Sequence, residues 1–156
     1  MRSEHLFIAA SIATFVMGGA ANAGSAIEEA GALACFTDKW DEKEQEKGHK
    51  LVDYAARCVS IPGDSNLPKD AEDCTGKYEY MPDGSWKGAG TCKRTFKSGD
   101  TITDEFSEGS HMKEYVYKVV GGTGKYKDAS GGGTYMFDNL TDAVGGGRFK
   151  GKVILP

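Results

Sequence analysis

The sequence predicts an all-β protein, an antiparallel barrel of seven or eight strands that is closed or nearly closed. Three observations predict it. Apolar and polar residues alternate with period two through most of residues 74 to 155. Turn signals recur between these segments at hairpin spacing. No long helical pattern follows residue 23, and only a turn or two of helix is expected, within the charged run Asp38 to Lys47.

The first residues concern delivery. Arg2 precedes an apolar run from Leu6 to Met17, then small residues ending in Ala21, Asn22 and Ala23, which is the layout of a secretory signal peptide cleaved after Ala23. The run is too short to cross a bilayer comfortably, so an uncleaved anchor is the weaker reading. The expected organisation is a signal peptide over residues 1–23 and a single β-barrel domain over residues 24–156. Such a protein is secreted or periplasmic, with no membrane span in the mature chain. Cleavage removes Arg2 and Glu4 together, so the formal charge stays at −4. A mildly acidic chain is a poor general partner for nucleic acid.

Along the mature chain, the residues around Cys35 supply one strand and "HKLVDYAARCVSIP" another. Between them "DKWDEKEQEK" mixes signs and lacks EF-hand spacing, so it reads as a solvated loop rather than a calcium site. Four cysteines follow the leader: Cys35, Cys58, Cys74 and Cys92. Paired C-x-x-C spacing for zinc is missing, which leaves two disulfides in an oxidising compartment or four buried thiols.

The turn in "YEYMPDGSWKG" chooses among the pairings. Pro82, Asp83 and Gly84 suit a type I turn closed by a glycine in the left-handed region, which sets Met81 opposite Ser85. On that register Tyr80 faces Trp86, Glu79 faces Lys87, Tyr78 faces Gly88, and Cys74 faces Cys92 at a position close enough for a disulfide. Cys35 then joins Cys58 by elimination. Tyr78, Tyr80, Trp86, Arg94 and Phe96 share the interior face, and Gly88 makes room for the Tyr78 ring.

The next turn, in "FKSGDTITDEF", closes on Ser98, Gly99 and Asp100. That choice sets Phe96 against Ile102, Arg94 against Asp104 and Cys92 against Phe106. An arginine and an aspartate therefore face the interior, where neither is stable unpaired. Two roles are open to them: a structural ion pair, or an anchor for a ligand.

"HMKEYVYKVV" continues the alternation with Tyr115, Tyr117 and Val119 on one face. Tyr135 to Asn139 and Phe149 to Leu155 supply the last strands. Between them lies "GGTGKYKDASGGGTY". It fails as a P-loop, because Tyr126 stands where a serine or threonine should follow Gly124-Lys125. It also fails as a dinucleotide fingerprint, since Lys127 occupies the third glycine position. What remains is a structural turn, with Tyr126 and Ala129 packing beneath tight glycine backbone.

Gly121, Gly122, Thr123, Gly124, Lys125 and Tyr126, followed by Ala129 and Gly131, resemble the GGTG-x-[FY]-x-x-A-x-G turn of the allene oxide cyclase and dirigent barrel superfamily, including its bacterial relatives. The motif covers about a tenth of the chain, and the hairpin pattern agrees with it from Cys74 to Leu155. The resemblance implies an eight-stranded calycin-like barrel with an apolar cavity, no cofactor, and in some members a homo-oligomer. No catalytic residue of that superfamily aligns to a numbered residue here, so none is carried over.

Other chemistry finds little support. His49 and His111 lack ligand spacing, so no metal site is assigned. No serine sits in a nucleophile elbow. Asn139-Leu140-Thr141 is a formal glycosylation sequon, meaningful only in a eukaryotic host. The leading expectation is a non-catalytic exported barrel binding a small apolar or aromatic molecule. Its candidate interior is Tyr78, Tyr80, Trp86, Arg94, Phe96, Asp104, Phe106, Tyr115 and Tyr117. A second reading is a cyclase or stereo-directing protein acting on an oxidised lipid or phenolic compound, and a third is an envelope-associated structural module plugged by its own tyrosines.

Overall fold

Eight strands follow one another in a computed structural model that describes residues 24–156. They are β1 (Ala26–Glu46), β2 (His49–Pro62), β3 (Asp70–Tyr80), β4 (Trp86–Phe96), β5 (Thr101–Gly109), β6 (Tyr115–Gly122), β7 (Ser130–Asn139) and β8 (Val144–Ile154). Each pairs antiparallel with its successor, and β8 pairs with β1, so the sheet is a closed barrel without free edges. The signal peptide expected over residues 1–23 lies outside the described residues. No described helix is long and apolar enough to cross a membrane.

The β3/β4 hairpin has the register read from its turn. Tyr78 stands opposite Gly88, Tyr80 opposite Trp86 and Cys74 opposite Cys92, and Gly84 closes the turn at φ 84°. Both disulfides form, Cys35–Cys58 between β1 and β2 and Cys74–Cys92 between β3 and β4.

The next hairpin corrects the expected register by two residues. Arg94 pairs with Ile102 and Cys92 with Asp104, not Arg94 with Asp104 or Cys92 with Phe106. The loop is Lys97-Ser98-Gly99 rather than Ser98-Gly99-Asp100, because the Phe96 amide donates to the Asp100 carbonyl and Gly99 takes the left-handed position at φ 88°. This repeats the geometry of the preceding turn, where glycine is likewise third. A slip of two preserves strand parity, so every side chain keeps its face and only the partners change.

Asp38 to Lys47 holds neither a helical turn nor a solvated loop. β1 runs on to Glu46, and its charged half pairs with β2, Trp40 opposite Tyr54 and Glu44 opposite Lys50. Several of its charges meet opposites on β2, as in the diagonal pairs Lys50–Glu42 at 2.6 Å and Arg57–Asp38 at 2.7 Å. Pairing with a neighbour overrides helix propensity here.

The glycine-rich stretch is narrower as a turn than its motif. Gly121 and Gly122 end β6 and Ser130 opens β7, with Gly131 opposite Val119, leaving a 3-10 turn over Gly124–Tyr126 between them. Gly124 adopts φ 56°. Tyr126 and Ala129 are buried in a cluster with Phe96, Ile102, Val119 and Val153. The Phe96 and Tyr126 rings stack at 4.6 Å. Those residues come from the same ends of β4, β5, β6 and β8, so apolar side chains pack at one end of the barrel, beside a small cavity of about 210 Å³, and the larger cavity lies toward the other end.

Candidate functional site

Inward-facing side chains do not fill the remaining barrel. They enclose a cavity of about 580 Å³. Its middle is ionic. Arg94, 5% exposed, donates from Nε to Asp104 Oδ2 at 2.6 Å and from Nη2 to Asp104 Oδ1 at 3.0 Å. Its Nη1 reaches Glu29 from β1, at 3.0 and 3.1 Å to the two oxygens. The Tyr117 hydroxyl donates to the same Glu29 at 2.8 Å. Glu72 stands opposite Arg94 on β3 and accepts from the Ser60 hydroxyl.

Burial opposes charge on Arg94, but Asp104 and Glu29 outweigh it and hold the guanidinium protonated. Burial raises Asp104 to about 6 against the pull of Arg94, with Glu72 and Glu29 adding to the rise. The two-point contact with Arg94 is that of an ionised carboxylate, and a value of about 6 keeps it so at neutral pH. Asp70 is raised further, to about 8, by burial and then by Glu72, and its Oδ1 has no partner among the described residues.

The mouth is aromatic. Trp40 approaches Tyr78 at 5.5 Å and Tyr54 at 6.1 Å. Trp86 lies 6.0 Å from Tyr78, 6.2 Å from Tyr80 and 5.9 Å from Tyr115, and Tyr115 touches Tyr135 at 5.5 Å. Six strands thus contribute rings to one belt. Inside it, Glu108 accepts from the Tyr78 hydroxyl at 2.9 Å and from the Tyr135 hydroxyl at 2.5 Å. Burial raises the Glu108 carboxyl while these two bonds lower it. Burial, then Glu108, holds both phenols far above their ordinary range, so they remain donors. Tyr54 is likewise pushed up to about 12 by burial.

Of the residues expected inside, Tyr78, Tyr80, Trp86, Arg94, Asp104, Phe106, Tyr115 and Tyr117 line the cavity. Phe96 does not; it belongs to the apolar cluster at the opposite end and lines the smaller cavity there. Sequence reading missed Glu29, Trp40, Tyr54, Glu72, Glu108 and Tyr135. Glu108 shares strand parity with Asp104 and Phe106, so alternation alone could have found it. Glu29 needed the closure of β1 onto the far wall.

Both disulfides lie on the cavity wall. Glu72 converges there with Cys58 and Cys74, but sulfurs already bonded to other sulfurs offer no thiolate to a metal. His49 is engaged by Glu79 at 2.9 Å, away from the cavity.

No protein-family profile matches the chain. No curated protein matches it either. Solved structures do. The pterocarpan synthase dirigent protein GePTS1 aligns with 15% identity over 83% of this chain and 86% of its own, with a TM-score of 0.50. The pterocarpan synthase dirigent protein PsPTS1 aligns with 10% identity over 84% and 96%, with a TM-score of 0.51. A protein of unknown function from Clostridium acetobutylicum aligns with 12% identity over 84% and 97%, with a TM-score of 0.53. At these identities the likeness is one of fold: this chain shares the barrel fold of those structures.

Proposed function

We propose that this chain is an exported, cofactor-free barrel that binds a small apolar or aromatic molecule in its cavity. One observation carries the reading. About 580 Å³ remains open inside a ring of aromatic side chains, a size and lining suited to one small organic molecule. The tyrosines line the barrel instead of filling it, which speaks against the plugged structural module. Two disulfides suit an oxidising compartment and support export.

Arg94 spends its donors on Asp104 and Glu29, which supports the structural role for that pair over the ligand anchor. A second reading, stereo-directing chemistry on a phenolic compound, is favoured by Glu108 with its two phenol donors facing the cavity and by the dirigent-type fold.

Native mass spectrometry of protein isolated from its own host tests the first reading, because a co-purifying small molecule names the ligand class directly. Calorimetric titration with simple phenols follows, and no measurable heat with any of them, together with ligand-free mass spectra, would overturn it. For the second reading, a phenol is coupled by an external one-electron oxidant with and without the protein. Enantiomeric excess that appears only with the protein supports stereo-direction, and a racemic product defeats it.

A further inference from the structure

We propose that the mouth of the cavity receives an organic cation, a fully methylated ammonium group on a small aromatic body, held by the rings of Trp40, Tyr54, Tyr78 and Trp86 and by the Glu108 carboxylate. The inference rests on the reading that the cavity binds a small molecule, and adds the sign of its charge.

The rings meet at mixed angles, Trp40 and Tyr78 tilted at 35° and Tyr78 and Trp86 at 48°, and two pairs close to perpendicular. Trp40 meets Tyr54 at an interplanar angle of 80°, and Tyr54 meets Tyr78 at 90°. A group entering such a box is approached by ring systems from several directions, and a cation gains from each ring face it meets. A methylated ammonium has no N–H to satisfy and is less strongly hydrated than a primary one, so aromatic walls suit it.

Charge points the same way. Among the described residues, Glu29, Glu72, Asp104, Glu108 and Asp142 line the cavity against Arg94 alone. Arg94 is already shared by Asp104 and Glu29, so it leaves no positive group for an anionic ligand. Glu108 is neutralised by no cation; its partners among the described residues are the two neutral hydroxyls of Tyr78 and Tyr135. An anion would meet the uncompensated Glu108 carboxylate there, and a cation would meet opposite charge in a low-dielectric setting.

The test uses two probes of one shape, (3-hydroxyphenyl)trimethylammonium and 3-tert-butylphenol, titrated into the mature protein by calorimetry. The cation is expected to bind at least about tenfold more tightly than its neutral isostere. Glu108→Gln keeps the shape of the acceptor and should shrink that preference to about threefold or less, whatever it does to the isostere's own affinity. If that variant fails to fold by circular dichroism, Trp40→Leu, at the 45% exposed rim, carries the test by weakening the cation more than the isostere. Equal or tighter binding of 3-tert-butylphenol overturns the cation while leaving the small-molecule cavity intact. If neither probe binds up to millimolar concentration, the cation falls, and the small-molecule cavity falls with it when native mass spectra are also ligand-free.

Discussion

Arg94 gives two nitrogens to Asp104 although the two residues are not ladder partners. Arg94 stands opposite Ile102 and Asp104 opposite Cys92, so the pair is a diagonal one, two positions apart along β5. The length of the arginine side chain spans that offset, and its remaining nitrogen crosses to Glu29 on β1. One cation thus ties three strands of the barrel.

Removing it should be costly. Arg94→Met strands Asp104 and Glu29 in a buried setting, and the expected loss is about 3 to 5 kcal/mol by urea denaturation. Arg94→Met with Asp104→Leu should recover only part of this, because Glu29 still lacks its partner. Adding Glu29→Gln should recover most of the rest. A single variant within about 1 kcal/mol of the parent would refute the burial of the pair.

Stability should fall as pH rises. Asp70 and Asp104, raised to about 8 and about 6, bind their protons more tightly folded than unfolded, where carboxyls titrate near about 4. Their contribution is complete below the unfolded value and is lost as pH climbs through the folded ones. Asp70→Asn should therefore flatten the decline between pH 6 and 8, reduce it between pH 4 and 6 to the share owed to Asp104, and stabilise the protein at pH 8 by on the order of 1 to 3 kcal/mol. Urea midpoints across that range read the slope directly, and an unchanged slope would reject the assignment to Asp70.

Gly124→Val should destabilise by about 1 to 3 kcal/mol from the backbone alone, since φ 56° disfavours a branched side chain. Its added carbon would also collide with the Asp100 carboxylate. At Gly122 a side chain would strike the Thr101 carbonyl. Melting temperatures unchanged in both Gly122→Val and Gly124→Val would contradict the structural role of this turn.

Loss of either disulfide should cost about 3 kcal/mol, because the bridges close chain segments of 18 and 23 residues. Paired serine variants at Cys74 and Cys92, then at Cys35 and Cys58, measure each by thermal melting. Non-reducing peptide mapping that joined Cys58 to Cys74 would overturn both pairings.

By itself, the sequence determined what is local. A proline, an aspartate and a glycine at Pro82, Asp83 and Gly84 set the β3/β4 register, because a tight turn leaves its flanking residues no choice of partner. Alternation put Arg94 and Asp104 inside, and that conclusion survived a two-residue error in the next turn, since a strand repeats every two residues. Tertiary structure decided the rest. The charged half of β1 became a strand only because β2 lay beside it with complementary charges. Glu29, 65 residues from Arg94 in sequence, became its partner only when β8 closed onto β1. Glu108 met the Tyr78 and Tyr135 hydroxyls only across the interior of the finished barrel. Local backbone preference reaches a few residues along the chain, whereas the cavity is made by walls whose strands meet only on closure.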